Sequence, residues 1–257
     1  MREEKYDQLR VQIYDSRLEM GRAAAADAAA SISRILEEKE DCNMIFAAAP
    51  SQNEMLEALR SNPDIPWNRV RAFHMDEYCG LDREASQCFG NFLDRALFER
   101  VDMRERYYLR DAGKTPEEIC ENYSNLLRRY PVDIVCLGIG ENGHIAFNDP
   151  PVADFDDPKI VKLVELDPVC RQQQVNDGCF ASLDEVPRQA FPLTIPVLMR
   201  VSQLYGMVPG KTKIAAIDKA INGPVTTACP ASILRTHPHA VLYLDEVSAQ
   251  KIKPETY

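Results

Sequence analysis

The chain has 257 residues, 45% of them hydrophobic and 27% charged, with a formal net charge of −10. That length supports one large buried core. The acidic balance argues against general affinity for nucleic acid or an anionic membrane, both of which need clustered Lys and Arg.

No apolar run approaches the roughly 20 residues of a membrane helix. The start, Met1-Arg2-Glu3-Glu4-Lys5, is charged and leads into no signal-like core. Eight cysteines without a CxxC pair read as reduced thiols of a cytoplasmic protein, not as a disulfide frame or zinc site.

Leu9 to Tyr14 alternates as a strand does, and the Ala-rich Glu19 to Glu38 has helical apolar spacing. Asn43 to Ala48 reads as a second strand. Ser51-Gln52-Asn53-Glu54 then makes a capping-box pattern before Met55 to Leu59. Val70 to His74 is a third strand, and Gln87 to Glu99 looks helical. Thr115-Pro116-Glu117-Glu118 opens a helix with a cap, an N1 proline and early acids. It runs to about Arg129, ahead of an apolar strand at Val132 to Leu137.

Beyond Asp149 come a Pro150-Pro151 loop and a short apolar run at Ile160 to Val164. The polar stretch Val169 to Gln189 is a candidate lid, with about 150–192 as its outer limits. Leu204 to Val208 reads as a strand entering a helix through Pro209-Gly210-Lys211-Thr212, and Ala240 to Leu244 as the last strand. Strand–helix alternation predicts one α/β domain over 1–257, Rossmann-like, with a mainly parallel sheet and helices on both faces.

Two strand ends carry the chemistry. After Val132 to Leu137 come Gly138-Ile139-Gly140-Glu141-Asn142-Gly143-His144-Ile145-Ala146-Phe147-Asn148-Asp149. Its glycines permit a sharp turn at the carboxyl end of a strand, where open α/β sheets hold ligands. The second is Phe73-His74-Met75-Asp76-Glu77-Tyr78, a strand that ends in acids. A histidine beside two acidic strand ends suggests one shared acid–base site.

With Val186-Pro187, Leu193-Thr194, Lys213 through Gly223 and Leu234 to Ala240, these stretches resemble the glucosamine-6-phosphate deaminase (isomerase) family, relatives of 6-phosphogluconolactonase. The resemblance runs from about Asn43 to Glu246. It implies cofactor-free aldose–ketose isomerisation and deamination of a hexosamine 6-phosphate. It gives His144 the ring-opening role and Asp76 the role of C2 base, with Glu77 tuning Asp76 or capping a turn. Asn142 stands where many members have aspartate, and Asp149 where glutamate is usual; both would orient His144.

The family's phosphate loop is rich in Gly, Ser and Thr, whereas this chain has Ala48-Ala49-Pro50-Ser51-Gln52-Asn53-Glu54, with Glu54 a source of repulsion. Ser51, Gln52, Gly143 and Lys213 are the expected substrate-binding residues. Arg171 is a candidate lid arginine, with Arg188 as the alternative, while the matching column falls near Asn176 or Asp177. His74, His237 and His239 read as structural.

Some bacterial members are hexamers activated by an amino-sugar phosphate held between subunits. The effector-binding positions fall near Val152, Ala153 and Val161, where only Lys159 keeps a matching charge, so no such activation is expected. A homo-oligomer is left open. Two other readings remain: a lactonase or deaminase of another sugar phosphate, and a non-catalytic sugar-phosphate sensor.

Overall fold

The computed structural model describes residues 1–110 and 113–252. Its central element is an eight-stranded sheet. In chain order the strands are β1 (Arg2–Tyr6), β2 (Leu9–Tyr14), β3 (Cys42–Phe46), β4 (Val70–His74), β5 (Asp76–Tyr78), β6 (Glu105–Tyr107), β7 (Ile134–Leu137), β8 (Val164–Glu165), β9 (Gln189–Pro192), β10 (Gln203–Met207) and β11 (Ala240–Asp245). The large sheet has the order β1-β2-β11-β10-β7-β3-β4-β6, and β5-β9-β8 form a small second sheet. Only the β1–β2 hairpin is antiparallel in the large sheet; the other pairings are parallel.

The helices are α1 (Arg17–Glu38), α2 (Asn53–Arg60), α3 (Phe89–Leu93), α4 (Pro116–Arg129), α5 (Pro168–Asn176), α6 (Ile195–Met199) and α7 (Ile214–Asn222). Successive side chains of a strand point to opposite faces, and β3 divides its apolar residues accordingly. Met44 and Phe46 pack with Met20, Ala24 and Ile32 of α1 in one cluster. Ile45 packs with Tyr123 and Leu127 of α4 and Ile217 of α7 in the other. Both faces are therefore covered, as a parallel sheet requires.

The expected elements from Leu9 to Tyr14, Val70 to His74 and Ala240 onward are present with nearly the same bounds. Thr115 does form its capping box: its hydroxyl accepts from Glu118 N, and the Glu118 carboxylate accepts from Thr115 N. The helix predicted over Gln87 to Glu99 is α3, continued by one π-helical stretch at Asp94–Phe98.

The Ser51–Glu54 capping box does not form. A short 3-10 turn at Pro50–Gln52 runs into α2 without a side-chain cap. Glu54 turns instead to Arg17 of α1, 3.0 Å away. A Cβ at Gly21, one turn after Arg17, would lie 2.5 Å from Glu54 Cβ, so the glycine is what lets α1 approach α2 there.

The strand order reverses at β3. The chain passes from β3 outward to β4, and later returns to β7 on the other side. Such a reversal opens a crevice at the carboxyl edge of the sheet. Between Asp149 and β9, the region read as a lid folds into β8, α5 and a 3-10 turn at Leu183–Glu185. It is tied to the strand bearing Asp76, because β9 pairs with both β5 and β8. Among the described residues no helix is long and apolar enough to cross a membrane.

Candidate active site

A cavity of about 310 Å³ occupies that crevice. The loops that follow β3, β4, β7 and β10 all reach it, contributing Ser51, Asp76, Gly138, Gly140, His144 and Lys213. Four strand ends thus bring together groups that lie up to 162 positions apart in sequence, counting from Ser51 to Lys213.

The histidine corner is tightly packed. A Cβ at Gly140 would fall 2.1 Å from His144 Cε1, so only glycine leaves room for the ring. Gly143 has φ +86°, the left-handed region that favours glycine, and its amide donates to Gly140 O over 3.0 Å. Gly143 does not line the cavity; it shapes the turn and backs onto Cys229.

His144 Nδ1 lies 3.0 Å from Asp149 Oδ1 and 2.8 Å from Asn142 Oδ1. Asn142 also donates from Nδ2 to Asp149 Oδ1 over 2.9 Å, and its Oδ1 accepts from His144 N over 3.1 Å. The asparagine therefore braces the ring and the acid together, and the negative charge comes from Asp149 alone. Burial pushes the Asp149 carboxyl upward, but His144, Asn142 and the Asp167 amide outweigh it and hold the group below its usual range. The Asp167 amide donates to Asp149 Oδ2 over 3.1 Å.

Asp76 sits in the cavity wall with 7% of its surface exposed. Burial, and then the neighbouring Glu77 carboxylate, push its pKa from 3.8 to about 8, against a stabilising hydrogen bond from the Phe147 amide. Glu77 faces away from this cavity and accepts hydrogen bonds from the amides of Tyr78, Phe89 and Gly90, each 3.0 Å long. It organises the turn into α3, and its charge opposes ionisation of Asp76. Burial also raises Glu77 itself, against these amides and Arg110.

His74 is fully buried, and burial followed by the Arg110 charge lowers its pKa to about 3, so the ring is neutral. Its Nε2 accepts from the Leu109 amide, and its carbonyl accepts from Tyr123 Oη. That is the structural role its strand position suggested.

Lys213 is 8% exposed, lines the cavity, and has no carboxylate within ion-pair distance among the described residues. Burial lowers its pKa, opposed by the charges of Asp177 and Glu141. A largely desolvated ammonium of this kind is a site for an anionic ligand. Ser51 Oγ also lines the cavity and accepts from Gln52 Nε2 over 2.9 Å. Gln52, expected to bind substrate, lies behind the loop instead; its amide also donates to Leu137 O at 3.3 Å.

Arg171 is a correction. It does not line the cavity: its guanidinium donates to Leu183 O at 2.6 Å and Val186 O at 2.8 Å, fastening α5 to the 3-10 turn. The segment expected to form a lid faces the cavity with Gln173, Gln174, Asp177 and Cys179. Gln173 Oε1 accepts from Glu141 N over 2.8 Å, joining α5 to the glycine turn. Arg17 was not foreseen at all. It lines the cavity, donating to Pro50 O at 2.9 Å while paired with Glu54. The feared repulsion by Glu54 is thereby neutralised, and a cation is added to a loop that lacks glycine.

His144, Asp149 and Cys170 place a nitrogen, an oxygen and a sulfur ligand within 4.8 Å of one another, a donor set zinc uses. Burial and the Asp149 carboxylate raise the Cys170 thiol well above its usual range, and it hydrogen-bonds to Asp149. An ion would have to displace the thiol proton and the bonds that already hold Asp149.

Sequence comparison agrees with the geometry. Residues 15–243 match the family of glucosamine-6-phosphate isomerases and 6-phosphogluconolactonases. The chain belongs to that family. It is 33% identical to the glucosamine-6-phosphate deaminase of Lactobacillus johnsonii over 192 residues, covering 75% of this chain and 78% of the relative. It is 29% identical to the deaminase of Bacillus thuringiensis over 84% of this chain and 80% of the relative. Among solved structures, a monomeric glucosamine-6-phosphate deaminase superposes with a TM-score of 0.85 at 24% identity, covering 94% of this chain and 99% of that one. The 6-phosphogluconolactonase of Thermotoga maritima follows with 0.74 at 20% identity, over 92% and 99% of the two chains. At these identities the superpositions speak for the fold, an α/β arrangement around a mostly parallel sheet. The protein is an enzyme of the deaminase/isomerase type.

Proposed function

We propose that the enzyme converts glucosamine 6-phosphate and water to fructose 6-phosphate and ammonia, with Asp76 as C2 base and His144 as ring-opening acid–base. The observation that carries this reading is Asp76. It is a buried carboxylate in the wall of the cavity that His144 also lines, and hydrolysis of a lactone needs no C2 base.

The chemistry follows from the groups present. His144 takes the anomeric hydroxyl proton and returns one to the ring oxygen, opening the pyranose to the aldehyde. Asp149 orients the ring through Nδ1, while Asn142 holds both in register. Asp76 then removes the proton from C2 and delivers one to C1, so the amino-bearing carbon becomes an imine. Water adds to that imine and ammonia leaves, giving the ketose.

Asp76 must be ionised to begin. Its raised pKa makes the free carboxyl reluctant, but a substrate ammonium at C2 lies beside it and favours the charged form. The substrate thus helps create the base that acts on it. Lys213, Ser51 and Arg17 all line the cavity and would hold the phosphate.

Purified enzyme offered glucosamine 6-phosphate and 6-phosphogluconolactone separately tests the assignment. Ammonia and fructose 6-phosphate from the first, with little hydrolysis of the second, is the expected result. Preferential lactone hydrolysis would overturn it.

A further inference from the structure

A second cleft, of about 630 Å³, opens on the other side of β5. Asp76 faces the catalytic cavity, and the next residue, Glu77, lines this one. The alternation of the strand separates the two spaces by a single residue. The lining is largely apolar and aromatic: Leu109 and Phe191 are buried, and Tyr107 and Tyr108, which pack with different core clusters, both reach it.

Its rim is cationic, which is unusual in a chain of net charge −10. Arg83, Arg106, Arg110 and Lys114 all line it. Among the described residues no carboxylate forms an ion pair with Arg83, Arg106 or Lys114. Arg110 is held in place: its guanidinium lies 4.6 Å from the Tyr108 ring centre, donates to Asn91 Oδ1 over 2.6 Å and lies 3.5 Å from Asp94. Among the described residues the one acid in the lining, Glu77, is buried and already accepts three amide hydrogen bonds. It therefore does little to satisfy the rim.

We propose that this cleft binds a phosphomonoester bearing an aromatic or apolar group. Arg83 and Arg106 would grip the phosphate and the apolar and aromatic lining would receive the remainder. Guanidinium groups match phosphate oxygens in geometry as well as charge. An aromatic ring gains further from the tyrosines and the fixed Arg110 plane. The site is separate from the substrate cavity and does not depend on which sugar phosphate the enzyme turns over.

Phenyl phosphate is the probe, followed by titration calorimetry on the full chain, on Lys213→Met, and on an Arg83→Ala/Arg106→Ala double variant. Both arginines are exposed, and Arg106→Gln alone gives a milder second reading. Binding that survives in Lys213→Met, weakens at least tenfold in the double variant and weakens less in Arg106→Gln is the expected result. No binding to the native chain at millimolar phenyl phosphate would overturn the proposal. So would binding lost with Lys213→Met but kept in the double variant, which would place the probe in the catalytic cavity.

Discussion

Arg17 and Glu54 form a 3.0 Å ion pair across α1 and α2, at the edge of the cavity where the family places its phosphate loop. The pair turns a carboxylate that would repel phosphate into the anchor of an arginine that can attract it. Gly21 makes the contact possible by removing the side chain that would hold the helices apart.

If Arg17 faces the phosphate, Arg17→Ala raises KM for glucosamine 6-phosphate by about tenfold or more while changing kcat little, since one charge-assisted contact is worth about 1.5–3 kcal/mol. Glu54→Gln frees the guanidinium and leaves KM equal or lower. Steady-state kinetics on both variants decides; an unchanged KM in Arg17→Ala would mean the arginine only clasps the two helices.

Asp149→Asn keeps a hydrogen-bonding group beside His144 but removes the carboxylate that contacts its Nδ1. The expected loss in kcat is about 10²–10³, within the range of one acid–base group. Ring-locked and ring-open substrates separate the effect. An open-chain analogue should lose much less, because ring opening is the step proposed for His144.

Burial raises Asp76 in the folded protein from 3.8 to about 8. Between those values the folded chain holds a proton that the unfolded chain has released. The stability associated with this group is therefore full below about pH 4 and is lost as pH rises toward 8. Asp76→Asn removes that dependence. The variant should be more stable than wild type at pH 8, with a higher Tm, and the difference should shrink toward pH 4. Thermal unfolding at both pH values checks the sign. A variant less stable than wild type at pH 8 would contradict the buried-carboxyl picture.

Thr115→Ala breaks the capping box that starts α4, a helix whose buried Tyr123 and Leu127 pack on the sheet. The expected loss is about 1 kcal/mol, or about 2–4 °C in Tm, with kinetic constants unchanged because no α4 residue lines the catalytic cavity.

Much of this was legible in the sequence, and for a physical reason. Asp76, His144 and Lys213 each follow an apolar strand, and a parallel sheet forces the carboxyl ends of its strands to one edge. The shared cavity follows from that rule. Arg17 was hidden because it sits in the first turn of α1, where an exposed arginine carries no pattern, and only the α1–α2 contact brings it to the site. Arg171 misled because sequence does not reveal where a helical side chain points; it is spent on two backbone carbonyls. The Ser51–Glu54 motif misled because the ion pair to Arg17 draws Glu54 out of its capping position. β1 (Arg2–Tyr6) was missed because its residues are charged, and its order comes from backbone pairing with β2 rather than from an apolar face.

The most direct measurement is ammonia release from glucosamine 6-phosphate by the wild-type enzyme and by Asp76→Asn, both checked for folding. Turnover in the wild type that falls at least a thousandfold in the variant is the predicted result. Turnover retained in Asp76→Asn, or a folded wild type that releases no ammonia, would contradict Asp76 as the C2 base of this reaction.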